Sequence, residues 1–314
     1  MSIGPHSVGN VLLLASSPTG PATLYAATAA LLFSSPDGGE TWSALPLAAR
    51  VSAFAVDPSS PRIVYAGTSF SSGLFDPESG AVFKSVNSGA SWTPATAGLR
   101  GSVLALVVDP SVPSRIYCGT TDGLFRSGDG GASWRRIGGD VVFGRTTAVT
   151  VDRSSPGTAY AAADDGVFRT DDGGDNWAAA GSVQSGLPAL SVTALLADGS
   201  PPVTLFAGTN GGGVFRSFDR GASWSAANAG LGSSQVFALV SDGGASGALY
   251  AGTNAGVFRS TDAGESWRAF NDGLPSPFVI AVACDRRSGF VYASVPGPGV
   301  FRRSSAAARF VPFR

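Results

Sequence analysis

The sequence has few of the residues that crosslink chains, bind metals or act as catalytic bases. It contains two cysteines, Cys118 and Cys284, one histidine, His6, and one lysine, Lys84. Two cysteines cannot make a disulfide scaffold, and we expect both to be buried, in places too far apart for a bridge. The histidine stands near the N-terminus, outside the repeats described below, and is expected to lie in solvent. We therefore predict no metal site and no cofactor.

The sequence also lacks a strong charge of either sign and a long apolar run. Its formal net charge is -1, so it offers no basic stripe to nucleic acid and no polybasic segment to an anionic membrane. Residues Met1 to Pro18 have no basic start, and their short apolar run, Val11 to Ala15, is explained as a strand. We predict neither a signal peptide nor a membrane span. Hydrophobic residues make up 44% of the chain, which is enough for the core of a folded, soluble protein.

What the sequence does contain is a repeat of roughly 40 to 50 residues, the length of a propeller blade. Each copy has a strand of small residues around one aromatic, as in VYAGT around Tyr65. The seven aromatics include every tyrosine of the chain and are Tyr25, Tyr65, Tyr117, Tyr160, Phe206, Tyr250 and Tyr292. A Val- and Ala-rich run begins fourteen residues before each aromatic, at Val11, Val51, Val103, Thr146, Val192, Val236 and Phe278. We name these runs strand A and the aromatic strands strand B.

A third strand, strand C, follows with the sequence GVFRS or one close to it. Its phenylalanines are Phe33, Phe83, Phe125, Phe168, Phe215, Phe258 and Phe301. Nine residues beyond each of them stands a tryptophan, or Phe310 in the seventh copy. Six of these intervals contain S-x-D-x-G-x-[ST]-W or a close variant, and we name them boxes 1 to 6. Their Asp or Asn and Trp residues are Asp37 and Trp42, Asn87 and Trp92, Asp129 and Trp134, Asp172 and Trp177, Asp219 and Trp224, and Asp262 and Trp267.

These boxes resemble the Asp-box, or bacterial neuraminidase repeat, of sialidases, xyloglucanases, sortilin-type receptors and a photosystem II assembly factor. The resemblance covers nearly the whole chain and implies an all-β fold, a seven-bladed β-propeller of four-stranded antiparallel blades with a box hairpin between strands C and D. It also suggests an exported or extracytoplasmic protein. We expect one domain over 1–314, closed by packing of the first blade on the last without a shared strand. The alternative is that residues 2 to 7 pair at an edge and change this closure. The blades are expected at about 8–46, 51–95, 103–138, 146–181, 192–228, 236–271 and 278–314.

The boxes are interpreted as scaffold. The Asp can accept backbone hydrogen bonds within its own turn, and the Trp can bury its ring beneath it, so each box would clip strands C and D of one blade. Calcium is the alternative for box 4, where Asp171, Asp172 and Asp175 crowd one loop. An arginine follows the strand C phenylalanine in most copies. We expect these arginines to pack on an aromatic of a neighbouring blade rather than to form a ring of ligands: Arg126, Arg169, Arg216, Arg259 and Arg302.

Candidate binding residues lie in the B–C and D–A loops, because the resemblance places the active sites of sialidases on the face away from the boxes. The B–C loop of blade 2 is ten residues longer than its counterparts, around Ser69 to Gly80. Such an insertion either binds a partner or is a tolerated surface loop. The binding candidates are its Phe70, Phe75, Asp76 and Glu78, together with Arg100, Arg136 and Arg145 of the D–A loops.

The first functional hypothesis is a non-catalytic binding or scaffolding propeller that presents these loops to a protein partner, and we expect a monomer. The alternative is a glycoside hydrolase, or an inactive remnant of one, that acts on a glycan. An inverting mechanism needs two carboxylates about 6.5–9.5 Å apart, and the candidates are Asp76, Glu78, Asp140 and Asp272. Sialidase activity is disfavoured because strand B uses every tyrosine. A third hypothesis is a repeat array without a small-molecule site.

Overall fold

The computed structural model describes residues 9–19, 23–47, 49–69, 80–139, 141–142, 144–188, 191–199, 203–243, 247–304, 307 and 309–312. Within these ranges the chain forms seven four-stranded antiparallel sheets, each from four consecutive strands. The one helical element among the described residues is a 3-10 turn at Val183–Ser185. No helix among the described residues has the length and hydropathy needed to cross a bilayer. The fold is an all-β propeller with seven blades, as the repeat predicts.

Strands A to D run in order from the central channel to the rim. Blade 1 contains β1 (Leu13–Ser16), β2 (Leu24–Ala27), β3 (Leu32–Ser35) and β4 (Ser43–Ala44). Blade 2 contains β5 (Val51–Val56), β6 (Val64–Thr68), β7 (Val82–Ser85) and β8 (Thr93–Pro94). Blade 3 contains β9 (Val103–Val108), β10 (Ile116–Thr120), β11 (Gly123–Ser127) and β12 (Arg135–Ile137). Blade 4 contains β13 (Thr146–Val151), β14 (Ala159–Ala163), β15 (Gly166–Thr170) and β16 (Ala178–Gly181).

The remaining three blades repeat this arrangement. Blade 5 contains β17 (Val192–Ala197), β18 (Leu205–Thr209), β19 (Val214–Ser217) and β20 (Ser225–Ala226). Blade 6 contains β21 (Val236–Ser241), β22 (Leu249–Thr253), β23 (Gly256–Ser260) and β24 (Arg268–Ala269). Blade 7 contains β25 (Ala281–Asp285), β26 (Phe290–Val295), β27 (Gly299–Ser304) and β28 (Val311–Pro312). Five strands A begin at the residue that the spacing indicates, whereas β1 and β25 begin two or three residues later.

Strand B is the core of each blade because both of its faces are covered by neighbouring blades. All seven of its aromatics are at most 1% exposed. The residue after each aromatic is Ala or Cys and pairs with the strand C phenylalanine in every blade, as Ala66 pairs with Phe83 and Cys118 with Phe125. Small residues are required here because the sheets approach closely. At Gly67, an added Cβ would lie 2.3 Å from Cγ1 of Val103 in the next blade.

Blade 7 closes on blade 1 through side chains, and neither sheet takes a described strand from the other. One apolar cluster spans this seam and includes Val11, Phe33 and Trp42 from blade 1 and Tyr292 from blade 7. The hydroxyl of Ser294 donates a 2.5 Å hydrogen bond to the carbonyl oxygen of Val11. The described part of this seam is therefore formed by face-to-face packing. Residues 2 to 7, which could pair at an edge, lie outside the described residues.

The loops separate onto two faces. The backbone N–H of Ser88 in box 2 donates to the carbonyl oxygen of Arg62 in the A–B loop of the same blade at 2.8 Å. On the other side, the N–H of Thr121 in a B–C turn donates to the carbonyl oxygen of Ser102 in a D–A loop at 3.0 Å. We name the first side the box face and the second the loop face.

Candidate functional site

Each box is held by one set of hydrogen bonds. In box 3, the Ser127 hydroxyl donates to Asp129 at 2.8 Å and accepts from the N–H of Gly131 at 2.8 Å. The other side of the turn is tied by the N–H and hydroxyl of Ser133, which donate to Asp129 at 2.9 and 2.6 Å. Box 2 keeps the pattern with Asn87, whose side-chain oxygen accepts from the N–H of Ser91 at 2.9 Å. These polar groups are satisfied inside the turn.

The tryptophans of boxes 3, 5 and 6 bond to the preceding blade, which corrects the expectation that a box clips only its own two strands. Trp177 of box 4 instead donates to the carbonyl oxygen of Gly174 in its own box at 3.3 Å. The indole N–H of Trp134 in blade 3 donates to the carbonyl oxygen of Ala95, beside the outer strand of blade 2, at 2.8 Å. Trp224 makes the same contact with Ala180 at 2.8 Å. In blade 7, Phe310 takes this place, is 2% exposed and packs edge-on against Phe270 of blade 6. Neighbouring blades are therefore joined through these aromatics.

The cation after the strand C phenylalanine reaches the box of the following blade. Lys84 donates to the carbonyl oxygen of Gly130 at 2.8 Å, and Arg216 to that of Ala263 at 3.0 Å. Arg126 and Arg302 make the equivalent contacts with the carbonyl oxygens of Gly173 and Gly38. The acceptor is in each case the residue after the box Asp. Four cations thus join adjacent blades and are not arranged as a ring of ligands.

The expectation that these arginines pack on a neighbouring blade's aromatic was wrong. Where one lies over a ring, the ring belongs to its own blade: Arg216 lies 4.8 Å from the centroid of Phe218, and Arg302 lies 5.0 Å from that of Phe290. The neighbouring blade supplies a carbonyl oxygen instead. A guanidinium carries five N–H donors, and in Arg216 and Arg302 one of them is satisfied by this carbonyl oxygen.

The three carboxylates of the box 4 loop have separate partners. Asp172 accepts hydrogen bonds inside the box. Asp171 accepts from Nε of Arg169 at 3.0 Å, and Asp175 pairs with Arg126 at 2.9 Å and with Arg135 at 2.6 Å. Their charges are compensated by cations and N–H groups, and no group of three potential metal ligands occurs within the described ranges.

The loop-face candidates gather around blade 3. Arg100 and Arg145 lie in the D–A loops on its two sides, Arg136 lies in its strand D, and all three side chains are exposed. The Arg100 loop contacts the B–C turn of blade 3, where an added Cβ at Gly101 would lie 2.8 Å from the N of Asp122. Arg136 lies over the same turn, with Nε 3.0 Å from the Cβ position of Gly123. The sequence candidates thus fall on neighbouring loops.

The blade 2 insertion rejoins its sheet at the same place. A Cβ at Gly80 would lie 1.7 Å from the carbonyl oxygen of Gly101, next to Arg100. Phe70, Phe75, Asp76, Glu78 and Asp140 fall outside the described residues. Of the four candidate catalytic acids, only Asp272 is described. Its carboxylate lies 3.8 Å from the guanidinium of Arg303 in blade 7.

Sequence reasoning missed a cavity of about 230 Å³ at the mouth of the central channel. Its lining includes the ends of strands A from four of the seven blades and the first residues of three A–B turns, so it opens toward the box face. Two arginines, Arg153 of blade 4 and Arg286 of blade 7, line it. The repeat contains a signal for this cavity, because the two arginines occupy the same position of the A–B turn. In blades 1 to 7 the residue at that turn position is Pro18, Pro58, Pro110, Arg153, Gly199, Gly243 and Arg286.

Comparison with known proteins shows the fold. No family model matches the chain. A xyloglucanase of Hypocrea jecorina (strain QM6a) is 33% identical over 97 residues, which are 28% of this chain and 12% of that protein. The crystal structure of a GH74 enzyme from Niastella koreensis superposes with a TM-score of 0.78 at 19% identity, over 99% of this chain and 54% of the enzyme. YCF48 bound to D1 peptide superposes with a TM-score of 0.69 at 15% identity, over 97% of this chain and 96% of YCF48. This chain spans about half of the GH74 enzyme and nearly all of YCF48, and it is similar in fold to the propellers of both.

Proposed function

We propose that this protein is a non-catalytic binding propeller that presents the loops around blade 3 to a protein partner. The observation that carries the proposal is the set of three exposed arginines, Arg100, Arg136 and Arg145. None of the three forms an ion pair with any carboxylate among the described residues. Exposed arginines are enriched in protein interfaces because each guanidinium offers several donors and a flat apolar surface.

The positions of the aromatic residues, the strand C cations and the box carboxylates also support a binding function. Nearly all tyrosines and tryptophans are buried between blades, so few aromatic platforms are left for a sugar. The strand C cations and box carboxylates are bonded within the scaffold. YCF48, whose length this chain matches, was determined with a bound peptide.

The test uses the immobilised full chain to capture proteins from an extract of the source cells. A triple variant, Arg100→Ala with Arg136→Ala and Arg145→Ala, is compared with the wild type. A control variant, Arg268→Ala with Arg309→Ala, removes two exposed arginines from blades 6 and 7. We expect a protein that is retained by the wild type and the control and lost with the triple variant.

Affinity for that protein, measured with purified components, should fall at least tenfold in the triple variant. Deletion of residues 70–79 should lower it further if the insertion takes part. The absence of any protein that discriminates the triple variant from the control would overturn the proposal.

Glycoside hydrolysis is the second candidate, and the 33% identity to a xyloglucanase over 97 residues favours it. The candidate acids are Asp76, Glu78, Asp140 and Asp272. Incubation with xyloglucan and measurement of reducing ends should show no release under the binding proposal. Release that disappears in an Asp→Asn or Glu→Gln variant at one of these positions would establish the hydrolase and identify its acid.

A further inference from the structure

Two arginines, Arg153 and Arg286, lie at the channel mouth, and the two blades between them have glycine at the same repeat position. Arg153 extends from the A–B turn of blade 4 and Arg286 from that of blade 7, and blades 5 and 6 carry Gly199 and Gly243 at the same repeat position. The guanidinium of Arg286 lies directly over Gly243, where an added Cβ would be 2.4 Å from Cζ. Glycine therefore leaves the space that this guanidinium occupies.

Neither guanidinium has an anionic partner within the described part of the chain. The seven arginines that form ion pairs with described carboxylates lie elsewhere in the ring. Both side chains are exposed at the opening. Partial desolvation by the surrounding blades and the positive charge of Arg286 lower the pKa of Arg153 to about 10, so it stays charged at neutral pH. Each guanidinium carries five N–H donors that can bind an anion at this opening.

The rest of the lining is mixed, with Ser16 and Ser241 beside apolar side chains. Leu14, Leu196, Leu239 and Val282 contribute from blades 1, 5, 6 and 7. Pockets for drug-sized ligands have volumes of about 300–1,000 Å³, and this cavity of about 230 Å³ is smaller. A cavity of this size, lined by guanidinium, hydroxyl and leucine side chains, suits a compact molecule with one anionic group and an apolar part.

We propose that the channel mouth on the box face binds a small organic carboxylate, with the carboxylate held between Arg153 and Arg286 and the apolar body against the leucines. Guanidinium groups bind carboxylates through paired N–H donors, which fixes the orientation of the anion. The site is separate from the arginines around blade 3 and does not depend on the proposed protein partner.

Isothermal titration of the wild-type chain with 3-phenylpropionate tests the charge requirement without any mutation. The uncharged 3-phenylpropionamide has nearly the same shape and serves as the matched ligand. We expect saturable binding of the carboxylate in the millimolar range or tighter, and at least tenfold weaker binding of the amide. Equal binding of the two, or binding of neither, would overturn the proposal.

Variants then locate the site. Arg153→Gln and Arg286→Gln should each weaken binding at least fivefold, and the double variant should remove it, whereas Arg268→Gln in the outer strand of blade 6 should leave it unchanged. Circular dichroism and the thermal midpoint verify that each variant is folded. If a channel variant does not fold, a competition experiment on the wild type replaces it. Acetate should displace 3-phenylpropionate, and acetamide should not. Full binding by a folded double variant would place the ligand elsewhere and refute the assignment.

Discussion

The indole N–H of Trp267 in blade 6 donates a 2.8 Å hydrogen bond to the carbonyl oxygen of Ala227, beside the outer strand of blade 5. Both residues are buried, at 3% exposure each. The backbone of Trp267 also donates to the carbonyl oxygen of Ala229 at 2.8 Å. One box residue thus binds the preceding blade through both its side chain and its main chain, so the stability of the ring depends on contacts between blades.

Replacing Trp267 by Phe should destabilise the protein while preserving the fold. Phe310 occupies the equivalent place in blade 7, so the ring fits, but the carbonyl oxygen of Ala227 loses its donor. An unsatisfied buried carbonyl costs about 1–3 kcal/mol. Urea unfolding should show that loss, and Trp267→Ala should cost more, about 3–5 kcal/mol. Equal stability of the Phe variant and the wild type would show that the indole bond contributes nothing.

Acid should weaken the boxes together. Hydrogen bonds from the hydroxyl and N–H of Ser133 lower the pKa of Asp129 from 3.8 to about 2, and those of Ser266 lower the pKa of Asp262 to about 2. A carboxyl with a lowered pKa in the folded state stabilises the fold fully above its unfolded pKa, and this contribution is lost as the pH falls through the folded pKa. Urea unfolding at a series of pH values should therefore show the free energy of unfolding decreasing from about pH 4 toward pH 2.

Asp129→Asn is the matched variant for this titration, because Asn87 already fills the same place in box 2. It should fold at neutral pH and show a shallower loss of stability in acid. If the variant loses stability in acid as steeply as the wild type, groups other than Asp129 dominate the acid dependence of the free energy of unfolding.

Adding a methyl group at Gly67 should separate blades 2 and 3. The new Cβ would meet Cγ1 of Val103 at 2.3 Å, and overpacking of this kind costs about 1–3 kcal/mol. Gly128→Ala is the control, since a Cβ there has no atom within 4 Å. Combining Gly67→Ala with Val103→Ala should restore part of the loss in a thermal unfolding experiment. An unchanged thermal midpoint of Gly67→Ala would show that blades 2 and 3 can move apart without loss of stability.

The two cysteines should be unreactive in the native state. Cys118 and Cys284 are free and buried, in blades 3 and 7, and burial raises the pKa of both thiols. Since the thiolate is the reactive form, labelling by an aromatic disulfide reagent should proceed at the rate of unfolding and accelerate in urea. Rapid labelling without denaturant would contradict the burial of these side chains.

The hydrophobic spacing of the sequence predicts the sheets well because their determinants are local. Each strand B aromatic, strand C phenylalanine and box lies within one stretch of about 30 residues, and hairpins form between such neighbours. The constant interval of nine residues from Phe125 to Trp134 thus places a C–D hairpin correctly without knowledge of the other blades.

Contacts between blades could not be predicted in the same way. The residues that Trp134 and Arg126 bind, Ala95 and Gly173, lie 39 and 47 residues away, and no local pattern marks a backbone carbonyl as their acceptor. The channel cavity was missed for a related reason. Arg153 and Arg286 lie in blades 4 and 7, and they come together only when the ring is closed.

The side-chain seam between blades 7 and 1 has a consequence for synthesis of the chain. Because no sheet borrows a described strand from the other end, the four described strands of blade 1 are present once residue 44 has been made. Each later blade can then dock on the one before it as it leaves the ribosome. The hydrogen bond from the hydroxyl of Ser294 to the carbonyl oxygen of Val11 can form only after blade 7 has been made, because the two residues are 283 positions apart. Before that hydrogen bond forms, the nascent protein is an open arc whose first blade exposes one apolar face. We expect a chaperone to bind the nascent chain at this face.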